Sequence, residues 1–194
     1  MAGMAWALTL GHGSADLARE LAHLAHGKPM TAARLVEILE TERTQWKTLL
    51  AEVGMERMEI PGVEGTWSAK ELVAHLTWYE RAVVDAANQV MSGGAFTRPG
   101  DGAGGIDERN ERIAAASRAR PAADVLAEAD EVFGKLLKVI AACPDDLLND
   151  ARLLSLPDDI PPWMRVANNS YAHYREHAES LRAWLARQPV AQNT

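Results

Sequence analysis

The sequence predicts an all-α protein built as a four-helix bundle. Two observations carry that prediction. Nearly half of the residues are apolar (47%) and alanine is plentiful, while β-branched runs are scarce. The apolar residues also recur at three- and four-residue spacing through long segments that start at capping residues and stop at glycine or proline. A chain of 194 residues suits one domain and can bury a real core.

Residues 1–30 read as an N-terminal extension, mobile or loosely docked. Ser14 can cap a short extra helix with Leu17, Leu21 and Leu24 on one face, closed by Gly27 and Pro29. His23 and His26 on that piece form one candidate metal pair. Met30-Thr-Ala-Ala reads as a candidate start of translation. The bundle is expected over 31–187, with 188–194 as a tail.

The first bundle helix is expected from Thr31 to Val53, with Leu35, Ile38, Leu39, Trp46, Leu49, Leu50 and Val53 inward. A linker from Gly54 to Thr66 follows, long enough to cross one end of the bundle. Ser68-Ala-Lys-Glu71 is a capping box that opens the second helix, which makes Glu71 a structural carboxylate first. The inward stripe of this helix is Leu72, His75, Leu76, Tyr79, Val83 and Ala86. Six glycines and one proline between Ser92 and Gly105 make a loop; with no Lys-Ser/Thr after it and no strand before it, it is not a phosphate loop.

The third helix is expected in two pieces. The first is Asp107 to Arg118, and Pro121 restarts the helix with Val125, Ala129, Val132, Phe133, Leu136 and Ile140 inward. The leucine-rich connection from Cys143 to Pro162 should pack on the bundle, where it could serve as a lid. The fourth helix is expected as one piece from Trp163 to Arg187, with Val166, Ser170, His173, His177, Leu181, Trp184 and Leu185 on its apolar stripe.

The formal charge of −7, without a Lys/Arg cluster interleaved with aromatics, argues against nucleic acid as a partner. No apolar run reaches transmembrane length, and the start lacks the basic region of a signal peptide. The lone Cys143 excludes an internal disulfide, so the cytoplasm is the expected compartment.

The chemistry lies in histidines at core positions. His173 and His177 are four apart, one turn from each other on one helical face, a spacing that lets two imidazoles reach one ion. His75 is inward on another helix. Three such imidazoles make an open site for a divalent ion, Zn or Ni, with a position left for water or substrate. The ion would act as a Lewis acid on a bound water or hold a thiolate. No Ser-His-Asp or Cys-His arrangement can be assembled from the spacing, and no general base is identified.

The same residues carry a resemblance. W-S-x-K-E-L-x-x-H-L at 67–76 with N-x-x-x-H-Y-x-x-H-x-x-x-x-R-x-W-L at 169–185 resembles the DinB/YfiT-like superfamily of four-helix bundles. Within it, His75-Leu-Thr-Trp-Tyr-Glu80, Asp107-Glu-Arg-Asn110 and His173-Tyr-Arg-Glu-His177 are most similar to the ClbS/DfsB-type branch, except that Tyr79 stands where that branch usually has Trp. The resemblance implies a homodimer and a small-molecule pocket, with Tyr79, Asn110, Asn169 and Tyr174 as candidate substrate contacts. It also implies a low-molecular-weight thiol as cosubstrate in some members.

Three readings follow. The first is a metal-dependent hydrolase or thiol S-transferase acting on a small reactive molecule, in detoxification or self-protection. The second is a metal-free ClbS/DfsB-like binding or protection protein. In the third, the histidines form only an internal structural network.

Overall fold

The computed structural model describes residues 28–94, 105–153 and 160–188. The expected N-terminal helix with His23 and His26, most of the glycine-rich loop, and Leu154 and Leu156 lie outside the described residues.

Helix α1 spans Ala32–Val53 and starts where the Thr31 side chain accepts from the Arg34 amide. A short 3-10 turn, Met55–Arg57, leads to strand β1 (Pro61–Glu64), which pairs antiparallel with β2 (Trp67–Ser68). Helix α2 spans Ala69–Met91, α3 Gly105–Arg118, α4 Ala122–Ala141 and α5 Asp145–Asn149. The last segment is split into α6 (Pro162–Asn168) and α7 (Tyr171–Leu185). The long helices α1, α2, α4 and α7 form the bundle: α2 packs on α4, α1 on α7, α1 also on α4, and α3 lies along α2.

The expected stripes are the core. Leu35, Leu39, Trp46, Leu49 and Val53 of α1 are buried, as are all six inward residues of α4. Each Val, Leu, Ile or Phe side chain among them, taken out of water, contributes roughly 1.5–3 kcal/mol. The capping box at Ser68 is formed: Ser68 N–H and Oγ–H donate to Glu71 Oε2, both at 2.8 Å. Arg118 Nε donates to the other oxygen of Glu71 at 2.7 Å, tying the end of α3 to the start of α2. Lys70 Nζ donates to the Arg118 and Arg120 carbonyls at 3.1 and 3.0 Å, closing the α3–α4 corner.

Two features differ from the sequence reading. The linker after α1 holds a hairpin. Val63 is buried and Gly65, at φ 58°, takes the left-handed turn conformation that favours glycine, so the chain doubles back onto α7 instead of merely crossing the bundle end. The fourth helix is broken at Asn169 and Ser170. Asn169 Nδ2 donates to the Arg165 carbonyl at 2.7 Å and Ser170 Oγ to the Val166 carbonyl at 2.5 Å, so both side chains compete for the carbonyls of the preceding turn. The apolar stripe continues across the break, which is why periodicity did not reveal it. The Cys143–Pro162 connection packs through Leu148, 2% exposed, and Asn149 grips both backbone groups of Met30.

Between α1, α2 and α7 the core holds a charged network. Arg43 Nη1 donates to the Tyr174 hydroxyl at 3.0 Å, and that hydroxyl donates to Glu80 Oε1. Arg43 Nη2 donates to Asp130, which also pairs with Lys47. Glu80 is fully buried, and burial pushes its carboxyl up to about 7, against the opposing pull of Arg43 and Tyr174.

Because the folded value exceeds the ordinary 4.5, the stability this carboxyl contributes is full below 4.5 and is lost as pH rises through about 7. His75 works in the opposite sense: its imidazole is held down to about 3, so its share is present above 6.5 and lost as pH falls. Comparison with Glu80→Gln isolates the carboxyl. In urea titrations, wild type should lose roughly 3 kcal/mol relative to the variant between about pH 4 and about pH 8. A pH-independent difference between the two proteins would place the titration elsewhere.

Candidate metal centre

Helix α2 carries His75 in its second turn, and α7 carries His173 and His177 on the face turned toward α2. The three rings meet. Centroid distances are 4.8 Å for His75–His173, 5.2 Å for His75–His177 and 4.8 Å for His173–His177. One ligand nitrogen from each lies within 4.8 Å of the others. His75 Nε2 and His173 Nε2 are 3.0 Å apart, close to the ~3.3 Å that separates two ligands of a tetrahedral zinc ion at ordinary Zn–N lengths. His75 and His177 are buried and His173 is half-buried.

The donor set fits a divalent ion. Burial holds His75 and His173 below the ordinary histidine range, helped by the charge of His177 and, for His75, of Arg109. Both imidazoles are therefore neutral at pH 7, the form that ligates a metal. His177 Nδ1 lies 2.7 Å from Glu64 Oε2, an ion-pair distance although not an in-line hydrogen bond. The same contact holds the Glu64 carboxyl below its usual range. It favours the proton on Nδ1 and leaves the lone pair of Nε2 to face the other rings. A carboxylate behind a ligating histidine is the common outer shell of metal sites. His177 Nε2, His75 Nδ1 and His173 Nδ1 have no hydrogen-bond partner among the described residues.

The wall beside the rings is aromatic and polar. Tyr79 packs edge-on to His75 and His173, at 4.9 and 5.0 Å. Its hydroxyl accepts from Arg109 Nη2 at 2.8 Å and donates to Asn110 Oδ1 at 2.9 Å. Trp67 tilts against His75 at 5.3 Å, with its indole N–H held by Glu111.

Of the residues expected from sequence, His75, His173, His177, Tyr79 and Asn110 are brought together. Asn169 instead turns back onto α6, and the Tyr174 hydroxyl enters the Arg43–Glu80 network. Glu64, Arg109 and Trp67 belong to the site and were not singled out in advance. Glu64 sits in a hairpin that helical periodicity does not register. Arg109 is 7% exposed within a highly charged turn, where no pattern separates it from its neighbours.

Comparisons place the chain among known folds. An uncharacterised protein from Escherichia coli UTI89 superposes with a TM-score of 0.70 at 17% identity, covering 81% of this chain and 94% of that one. The colibactin self-resistance protein ClbS, in a complex with a dsDNA, gives 0.71 at 14% identity, over 84% of this chain and 100% of that one. At such identities these likenesses concern the fold alone. No curated protein is similar in sequence. Residues 38–179, most of the bundle and all three histidines, match the DinB superfamily, and the chain belongs to that family.

Proposed function

We propose that this protein is a metal-dependent enzyme acting on a small reactive molecule, by hydrolysis or by transfer to a low-molecular-weight thiol, in detoxification or self-protection. The observation that carries the reading is the convergence of three imidazole nitrogens from two helices, with a carboxylate behind one of them. His75, His173 and His177 would hold the ion, zinc or nickel being the choices that suit imidazole ligands. When bound, such an ion supplies Lewis acidity toward a water, a thiol or a carbonyl oxygen.

The surrounding residues have their own tasks. Glu64 keeps the proton of His177 on Nδ1 and fixes the ring. The Tyr79 hydroxyl already accepts one hydrogen bond and donates another, so its remaining lone pair is aimed by Arg109 and Asn110 together. It orients a donor group of the substrate beside the rings. Trp67 shields the His75 side from water. Among the described residues no helix is long and apolar enough to cross a membrane. A cytoplasmic homodimer without a nucleic-acid partner completes the proposal, the last point resting on the charge of −7.

One observation favours a second reading, a metal-free binding or protection protein of the ClbS type. The 3.0 Å contact between His75 Nε2 and His173 Nε2 satisfies both atoms if one ring carries the proton. Elemental analysis of gently purified protein separates the readings, since only the first requires a stoichiometric ion.

Replacing His173 or His177 with Ala should abolish stoichiometric metal uptake while the far-ultraviolet circular dichroism remains helical. Undiminished uptake by the double variant would move the ion away from these rings. Glu64→Gln should weaken metal affinity about 10–100-fold without abolishing it, as loss of an outer-shell carboxylate does elsewhere. Competition with a chromogenic chelator measures that change.

A further inference from the structure

The two histidines of α7 are supported differently. His177 has the Glu64 carboxylate behind it, 2.7 Å from Nδ1. His173 is half-buried, and its Nδ1 has no hydrogen-bond partner among the described residues. A ligating histidine ordinarily gives its outer N–H to a carboxylate, a carbonyl or water, which fixes the plane of the ring. Without that hold, the place of His173 depends on how the backbone of α7 is rotated and how far it stands from α2.

The next residue supplies a fixed point for that backbone. The Tyr174 ring stacks on Trp46 of α1, with centroids 5.7 Å apart and planes 7° from parallel. Its hydroxyl accepts from Arg43 Nη1 of α1 at 3.0 Å and donates to Glu80 of α2. Arg43 is held in turn: Nη2 donates to Asp130 of α4 at 3.0 Å, and the guanidinium lies 5.0 Å from the Phe133 ring. Tyr174 is 2% exposed and Glu80 is wholly buried. The Tyr174–Glu80 bond joins the same two helices as the 3.0 Å contact between His75 and His173. Neighbours on a helix point about 100° apart, so the anchoring side chain and the ligating ring leave α7 in different directions. Turning α7 enough to carry His173 off the other rings would pull the Tyr174 hydroxyl from Arg43 and Glu80.

We propose that Tyr174 is a positioning residue of the metal centre. Its hydroxyl, clamped between Arg43 and Glu80, sets the rotation of α7 and its distance from α2, and it acts through His173. The proposal rests on the metal-binding reading of the three rings. A site of this kind tolerates displacements of only roughly 0.5 Å and 10–20°, so losing the clamp shows in the ion before it shows in the fold.

The test measures zinc affinity of the full folded chain, by competition with a chromogenic chelator, and the visible spectrum of the cobalt-loaded protein. Tyr174→Phe keeps the ring on Trp46 and removes only the hydroxyl. It should weaken zinc binding about tenfold and shift the cobalt bands. Arg43→Lys lies on another helix, keeps the charge and loses the fork that reaches Tyr174 and Asp130 together. It should act in the same direction, and it decides the matter should Tyr174→Phe fail to fold. Leu136→Ala opens a cavity on α4, which carries none of the rings. That variant should lower the unfolding midpoint and leave affinity and spectrum as in wild type. Unchanged affinity and spectrum in the first two variants, or an equal loss of affinity in Leu136→Ala, overturns the proposal. A wild type that takes up neither zinc nor cobalt sinks the metal reading instead. The positioning role is then read on the metal-free protein from nitrogen-15 spectra of the rings. Loss of the His75–His173 contact in Arg43→Lys supports it, and retention of that contact overturns it.

Discussion

The structure depends on keeping three imidazoles together inside a helical bundle. Their six ring nitrogens find one contact between His75 and His173 and one ion-pair contact with Glu64, and three nitrogens have neither a hydrogen-bond partner nor an ion-pair contact among the described residues. A buried polar atom without a partner costs about 1–3 kcal/mol. Three of them amount to a large part of the 5–15 kcal/mol that separates a typical domain from its unfolded chain. Leucine at 75, 173 and 177 would suit a bundle built for stability alone. What the arrangement does offer is one nitrogen from each ring within 4.8 Å of the others, so that the cluster is able to coordinate an ion.

Such a site needs a rigid frame, because ligand positions a few tenths of an ångström apart distinguish a metal site from a loose cluster. The beginning of α2 is fixed by the Ser68–Glu71 box, by Arg118 on Glu71 and by Lys70 on the α3 carbonyls, one or two turns before His75. On α7 the break at Asn169–Ser170 has a comparable effect. It frees α7 from the direction of α6, so that His173 and His177 approach α2 at an angle set by their own packing. The β1–β2 hairpin, docked on α7, then delivers Glu64 to the outer nitrogen of His177.

How much of this was legible in the sequence follows from the kind of signal each part leaves. Helical stripes report which residues face inward, so the core of α1 and α4 and the inward position of His75, His173 and His177 could be read directly. The resemblance named Tyr79 and Asn110, and their hydroxyl–amide contact lies against the rings. Glu64 left no trace because its part depends on a register between two strands of four and two residues, too short for any alternation to show. The Asn169–Ser170 break was hidden because hydrogen bonds from two short polar side chains set it while the apolar stripe ran on. Arg109 is one of several arginines in α3, and only the packing of α3 on α2 selects it.

Adjacent residues divide the bundle interior into two polar centres. On α2, Tyr79 turns to the histidines and Glu80 to Arg43; on α7, His173 joins the histidines and Tyr174 bonds to Glu80. One step along a helix rotates a side chain by about 100°, enough to send neighbours to opposite sides of the α2–α7 seam. The two centres are satisfied in different ways. Around Glu80 hydrogen bonds link Arg43, Tyr174 and Asp130, so that centre ties α1, α2, α4 and α7 together, although Glu80 Oε2 and Arg43 Nε have no hydrogen-bond partner among the described residues. Among the described residues the histidines have no comparable set of counter-charges beyond Glu64. The Glu80 network therefore ties helices to one another, while the histidine cluster is the one able to coordinate an ion. Because Tyr79–Glu80 and His173–Tyr174 are peptide neighbours, the rigidity of the first passes directly into the geometry of the second.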